Sequence, residues 1–303
     1  MYDIPILFII FRRKDVALQS FERIRRVQPS KLYIACDGAR ANVKGEKELV
    51  ESTRKAIIDS IDWDCEVYTK FQTENLGCGI GVYTAINWFF NNEEEGIILE
   101  EDCVANSSFF IYVKELLERY GNDERIGMIA GTNPIKNIYM HDSYCFSKYA
   151  ACWGWATWRR SWKNMKLNLD FLNEHKKDVL LNRGFIGKDV SRWAYQLKLI
   201  NNNRVSAWDW QWYFSLAAQN QLCIFPKSNL ISNIGNDSDA THTAFSNIFI
   251  ADHELDFPLQ HPNYILPYSF FDKELFKKGN CIKEIIKRKV PYSIKLYIKN
   301  FIR

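Results

Sequence analysis

The 303-residue sequence has no apolar run approaching the roughly 20 residues that cross a bilayer, which argues against a membrane-spanning helix. Its start, Met-Tyr-Asp-Ile-Pro, lacks a basic leader region, so no secretion signal is read and the expected location is cytoplasmic. The eight cysteines (Cys36, Cys65, Cys78, Cys103, Cys145, Cys152, Cys223 and Cys281) include no C-x-x-C pair. That speaks against a structural zinc site and for reduced, mostly buried thiols. Internal repeats and low-complexity linkers are also missing. So is a basic body. Residues 271–303 hold ten Lys or Arg against three Asp or Glu, a net +7, which leaves −3 on the other 270 residues. The body is therefore not expected to bind nucleic acid, and the tail is expected to meet an anionic surface.

What remains is an ordinary globular composition, 47% hydrophobic and 25% charged, rich in aromatics with 10 tryptophans. Up to residue 131 the pattern alternates strand and helix. Strands are expected at Ile4–Phe11, Lys31–Cys36, Cys65–Phe71, Gly96–Leu99 and Ile126–Ala130. Ile4–Phe11 is an almost continuous apolar run, as in a buried parallel strand. Between them, Asp15 is placed as the cap of a helix with Leu18, Phe21, Ile24 and Val27 on one face. Further helices are expected at Glu46–Ile61 (Leu49, Val50, Thr53, Ile57 and Ile58 inward), Gly79–Asn91 and Ser107–Tyr120. This rhythm predicts the α/β class, an open and mostly parallel sheet with helices on both faces. After Gly131 the rhythm breaks. The expected organisation is one catalytic-size domain over 1–270, with a ligand-binding half (1–131) and a second half (132–270) that completes the site. Residues 271–303 are read as a separate basic, amphipathic tail.

In such sheets ligands bind beyond the carboxyl ends of the strands. There stand Phe11-Arg12-Arg13, Asp37-Gly38, Asn75-Leu76-Gly77-Cys78-Gly79 and Glu100-Glu101-Asp102. The triplet is the sharpest feature. Three adjacent acids after a buried strand repel one another unless a cation compensates, and Mg²⁺ or Mn²⁺ takes one or two carboxylates plus phosphate oxygens. Glu93-Glu94-Glu95 nearby reads as a solvated turn. Gly77, Gly79 and Gly81 miss the dinucleotide-binding spacing. They serve either a phosphate at a helix start or a tight turn. Asn75 is the better ligand contact. For Asp37 two readings stand: acceptor for a nucleobase N–H, or cap of a turn.

The order Pro-Ile-Leu-Phe-Ile-Ile-Phe-Arg-Arg, Leu-Tyr-Ile-Ala-Cys-Asp-Gly, Asn-Leu-Gly and Ile-Ile-Leu-Glu-Glu-Asp resembles GT-A nucleotide-sugar glycosyltransferases. The nearest pattern is the N-acetylglucosaminyltransferase I family and its bacterial relatives. The triplet there is Glu-Asp-Asp and here Glu-Glu-Asp, so the middle acid departs from the pattern. The resemblance implies a GT-A fold, Asp102 as metal holder, Glu100 and Glu101 beside it, Asp37 near the base, and Arg12 or Arg13 near the nucleotide. Trp208-Asp209-Trp210-Gln211-Trp212 is similar to the family's Trp-Asp-Asp-Trp segment and makes Asp209 the implied catalytic base. A helix cap is the other reading of Asp209, and both can hold. Trp153-Gly154-Trp155 fits the segment beside the sugar, with Trp162 left to the core. His242, in a Thr-His-Thr turn, fits the late loop over the diphosphate, as metal or phosphate ligand.

The implied activity is metal-dependent, inverting transfer from a nucleotide-sugar donor, UDP-sugar favoured, to a glycan or lipid-linked acceptor in surface polysaccharide or glycoconjugate synthesis. The cofactor is Mn²⁺ or Mg²⁺. The tail, with Ile282, Ile285, Ile286 and later apolar residues among lysines and broken by Pro291, suggests peripheral contact with the inner face of an anionic membrane. Two rivals remain: a sugar nucleotidyltransferase, opposed by the lack of a Gly-rich basic loop after the first strand, and a metal-independent glycan-binding module.

Overall fold

The fold is that of a computed structural model, which describes residues 1–136, 138–182, 188–202, 208–235, 250–251 and 253–290. In chain order the elements are β1 (Ile6–Ile10), α1 (Lys14–Val27), β2 (Lys31–Cys36), α2 (Glu46–Asp59), β3 (Glu66–Phe71), α3 (Gly77–Asn92) and β4 (Glu95–Glu100). There follow β5 (Cys103–Ala105), α4 (Ser107–Tyr120), β6 (Ile126–Ala130), β7 (Tyr144–Ser147), β8 (Trp155–Trp158), α5 (Arg159–Trp162), α6 (Leu172–Asn182) and α7 (Lys188–Asn201). The last are α8 (Asp209–Ala218), β9 (Leu222–Pro226), β10 (Ile231–Asn233), α9 (Ser269–Gly279) and α10 (Ile282–Lys289).

Eight strands form one sheet in the order β3-β2-β1-β4-β8-β6-β9-β7. β3, β2, β1 and β4 are mutually parallel, as are β6 and β9, while β8 and β7 pair antiparallel with their neighbours. The α/β expectation and the mostly parallel sheet both hold. The period of two along β1 explains the layering. Ile6, Phe8 and Ile10 enter the core under α1, α2 and α4, with Phe21, Ile24, Val50, Ile57, Phe109 and Leu116. Leu7 points the other way, into a core with Ile86 and Phe89 of α3 and the tryptophans Trp155, Trp162, Trp208 and Trp212. A third cluster joins α6, α7 and α8 around Trp193 and Phe214.

Several expectations are corrected. The second half supplies β7, β8 and β9 to the main sheet, a share the broken rhythm after Gly131 did not show. α1 opens with Arg13 at its cap position, so Asp15 lies inside the first turn and its side chain is not the cap. On α2, Val50, Thr53 and Ile57 are buried, but Leu49 and Ile58 face solvent. Glu93 is no solvated turn residue: it is buried and accepts hydrogen bonds from Tyr33 Oη (2.7 Å) and Lys31 Nζ (3.0 Å). The tail is not separate from its start. On α9, Phe271 is buried against Phe225, and buried Asp272 accepts from Ser147 Oγ at 2.5 Å. All eight cysteines are free thiols.

Candidate active site

Because β1–β4 are parallel, their carboxyl ends share one rim. Short contacts tie that rim together: Gln72 N–H donates to Cys36 O (2.9 Å), and Phe11 N–H to the Glu101 carboxylate (2.7 Å). β8 runs the opposite way, with Trp155 opposite Ile98 and Trp158 opposite Glu95. Its entrance, Trp153-Gly154, therefore lies on the same rim, as does Gly131 at the end of β6, whose N–H donates to Gly154 O (2.8 Å).

The triplet divides its labour. Glu101 is buried. One of its oxygens accepts the Phe11 N–H, and the other accepts Arg13 Nε at 2.6 Å. The same Arg13 guanidinium donates through Nη2 to Asp102 Oδ2 at 2.9 Å. Arg13 thus bridges two of the three acids with a two-nitrogen fork, the geometry that makes charge-assisted pairs strong. Burial raises the Glu101 carboxyl and Arg13 opposes it. Glu100 ends β4 half-buried at the rim. Loss of water first, then the charges of Asp102, Asp209 and Glu101, push its carboxyl up to about 8, against the pull of Arg13. Arg12 leaves the rim and pairs with the buried Glu46, Nε to Oε1 at 3.4 Å.

Asp209 opens α8, following Trp208 at the cap position. Trp208 and Trp212 sink into the α3-side core and Trp210 packs on Trp193, so the alternation of aromatics fixes the helix on both sides. Asp209 is partly exposed and close enough for its charge to raise Glu100, Cys78, Cys152 and Tyr213. The sequence separates Asp209 from Glu100 by more than one hundred residues; the fold brings them to one crevice.

Asp37 does the turn-holding work. Its Oδ1 accepts Gly38 N–H and Leu76 N–H, both at 2.9 Å. Its Oδ2 accepts Gly77 N–H at 2.9 Å and Asn75 Nδ2 at 3.0 Å. Four donors occupy the lone-pair positions a carboxylate offers. Asn75 Nδ2 also donates to Gly38 O at 2.7 Å. Asp37, Asn75 and Gly77 therefore form one unit that fixes the start of α3. Phe11 contributes its N–H to the rim, and its ring packs on the core.

Trp153 is partly exposed at the rim. Trp155 is not a wall residue: it is 0% exposed and stacks on Trp208 with ring centroids 5.6 Å apart. Strand alternation places it under the sheet, beside Trp162, which is core as expected. Gly154 sits at φ +58°, where a Cβ would also meet Ile231 Cδ1 at 2.4 Å, so a side chain is doubly disfavoured. His242 lies outside the described residues.

Two rim residues to which the sequence reading gave no individual role are Cys78 and Gly235. Cys78, second residue of α3, has its thiol raised to about 12, by burial first and then by Glu100, Asp209, Asp37 and Asp102. It thus stands near four of the five carboxylates at the rim. Gly235 follows β10, which pairs with β5 directly after the triplet. A Cβ there would lie 2.1 Å from Asp102 Oδ2. The pairing of two three-residue strands brings Gly235, at the start of the late loop, to Asp102.

Among the described residues no three His, Cys, Asp or Glu side chains are grouped to hold a metal ion. Asp102 is the partly exposed hard-oxygen donor of the triplet, since both Glu101 oxygens are engaged within the protein. One carboxylate does not make a cage, but it fits an Mg²⁺ or Mn²⁺ that arrives with diphosphate oxygens completing its shell.

No protein-family model matches the chain and no curated protein sequence matches it. Among solved structures, a mannosyltransferase from Pyrobaculum calidifontis in complex with GDP-Man and Mn²⁺ is 13% identical, with a TM-score of 0.36 over 53% of this chain and 46% of that one. A 4-diphosphocytidyl-2C-methyl-D-erythritol synthase from Anaerococcus prevotii is 10% identical, with a TM-score of 0.34 over 63% and 83%. An apo UDP-glucose pyrophosphorylase is 8% identical, with a TM-score of 0.36 over 75% and 93%. The chain spans less than half of the mannosyltransferase. All three TM-scores lie below 0.5, so the functional reading rests on this chain's own residues.

Proposed function

We propose that the protein is a metal-dependent, inverting glycosyltransferase. It moves a sugar from a nucleoside-diphosphate donor, UDP-sugar favoured, to a hydroxyl of a glycan or lipid-linked acceptor. The observation that carries this reading is the electrostatic closeness of Asp209 to the Glu100-Glu101-Asp102 rim across one crevice.

A Mn²⁺ or Mg²⁺ ion held by Asp102 would supply neutralisation of the diphosphate charge that develops on leaving. The rest belongs to the chain. Arg13, locked by Glu101, orients Asp102. The Asp37–Asn75–Gly77 unit fixes the start of α3 along the crevice. Trp153 offers a rim face to the sugar. Asp209 takes the proton of the acceptor hydroxyl while that oxygen bonds to the anomeric carbon. The bond from that carbon to the diphosphate oxygen breaks on the far side, and one in-line displacement inverts the centre.

A nucleotidyltransferase is less well supported. Arg12 is paired with Glu46, and Arg13 with Glu101 and Asp102, at the turn where a triphosphate loop would stand. The test is product analysis with a panel of nucleotide sugars and Mn²⁺. Release of nucleoside diphosphate is expected, falling roughly 10²-fold or more in Asp209→Asn while diphosphate binding is retained. Pyrophosphate release from a nucleoside triphosphate plus a sugar phosphate would replace this reading with the rival one.

A further inference from the structure

α9 is seated on the body and α10 is not. Phe271 and Asp272 bury the first turn of α9 against β7 and β9, and Lys278 Nζ donates to Pro134 O at 2.8 Å. α10 is tied back at its far end. There Arg288 donates to Gly279 O and to Asn280 Oδ1, both at 2.9 Å, closing the carboxyl end of α9. With 100° per residue, Ile282, Ile285 and Ile286 fall within a roughly 100° arc, and Arg288 falls outside it. Ile282 is 77% exposed and Ile286 is 57% exposed, with Ile285 between them partly so.

The charge around this stripe is mostly positive, and Lys289, seven residues after Ile282, shares its face. α10 carries Lys283, Lys287, Arg288 and Lys289 against Glu284, and the sequence after it adds Lys295, Lys299 and Arg303 with no acid. The body is net acidic, so charge alone would draw this segment onto it, yet Ile282 and Ile286 stand exposed and do not pack there. An anionic polymer would answer the lysines and leave the isoleucines in water. A neutral apolar surface would do the reverse. The interface of an anionic bilayer answers both at once, because acyl chains take the apolar stripe and head groups take the cations.

We propose that α10 is a membrane-docking element that lays its Ile282–Ile286 stripe into the surface of a bilayer containing anionic lipid, with α9 as the rigid bracket that holds it off the body. This is independent of the catalytic reading, and its test needs no substrate.

The full chain is sedimented with vesicles of phosphatidylcholine containing about one third phosphatidylglycerol, and with phosphatidylcholine alone. Binding to the anionic vesicles is expected, with little to the neutral ones and loss at about 1 M salt. The double variant Ile282→Asp, Ile286→Asp should lose about tenfold or more of the lipid partitioning, with its far-UV dichroism unchanged. Ile111→Asp, an equally drastic change at an exposed isoleucine of α4, should bind as the wild type does. Equal binding to both vesicle types, or undiminished binding by the double variant, would overturn the proposal. So would a lipid-free dimer, seen by sedimentation velocity, that the double variant abolishes, because the stripe would then belong to a second copy of the chain.

Discussion

β4 carries a raised carboxylate at each end, and the two differ in what surrounds them. Glu100 meets Asp102, Asp209 and Arg13; Glu95, at the opposite end of the sheet, is raised mainly by burial, with Glu118 and Asp3 adding to it and Arg160 opposing. A carboxyl whose pKa rises on folding favours the fold when protonated. Its contribution is present below the ordinary value near 4.3 and is lost as pH climbs through the raised value. Ionised Glu95 therefore costs stability at neutral pH. Glu95→Gln should raise the melting temperature at about pH 7 and leave it nearly unchanged near pH 4; an equal shift at both would contradict burial as the cause. The positions of Asp102 and the triplet were legible in sequence, because three acids directly after a buried apolar strand need a compensating positive charge. Arg13 was legible as a rim residue only. Its fork onto Glu101 and Asp102 depends on the turn that starts α1, where it takes the cap position expected of Asp15. Of the two readings of Asp37, turn-holding is the one the bonds display, and its donors include backbone N–H groups of Leu76 and Gly77, whose direction no side-chain pattern encodes.

At the scale of elements, the strands and helices of the first 131 residues were legible nearly to their ends where they run long enough to show their period; the three-residue β5 was not. β2, α4 and β6 match their expected bounds. The second half was not legible in the same way. β7 and β8 have four residues each, all buried, so there is no alternation to read. β8 also hides its direction: Trp-Ala-Thr-Trp pairs antiparallel to β4, which turns Trp155 into the core and leaves Trp153 at the rim. The tryptophan wealth is thus mostly structural, with Trp155, Trp162, Trp208 and Trp212 forming one buried group. α9 shows the same limit. Composition assigned it to a loose basic tail, yet Phe271 and Asp272 dock it. Adjacent residues make the test. Phe271→Ala should cost about 3–5 kcal/mol of stability, as for other buried aromatics, while Phe270→Ala, at a residue 51% exposed, should stay within about 0.5 kcal/mol. Similar losses from both in a denaturant titration would mean that α9 is not seated as described.

Over the whole molecule, one sheet spans both halves, so the crevice is built from a single rigid frame, with Asp209 delivered to it by α8. Charge is distributed in the same functional sense: carboxylates line the rim, and the cations concentrate beyond α9. No described helix is long and apolar enough to cross a membrane. The central claim is that Asp102 and a divalent ion together receive a nucleoside diphosphate at the strand ends. The most direct test is a thermal-shift series of UDP, GDP, TDP and CMP, each with Mn²⁺ and with EDTA, on the wild type and Asp102→Asn. A ligand at about 100 times its dissociation constant stabilises by about 2.7 kcal/mol, enough to see. The account predicts a shift with one nucleoside diphosphate, lost in EDTA and lost in the variant. No shift with any nucleotide, or a shift that persists in both EDTA and Asp102→Asn, would contradict it.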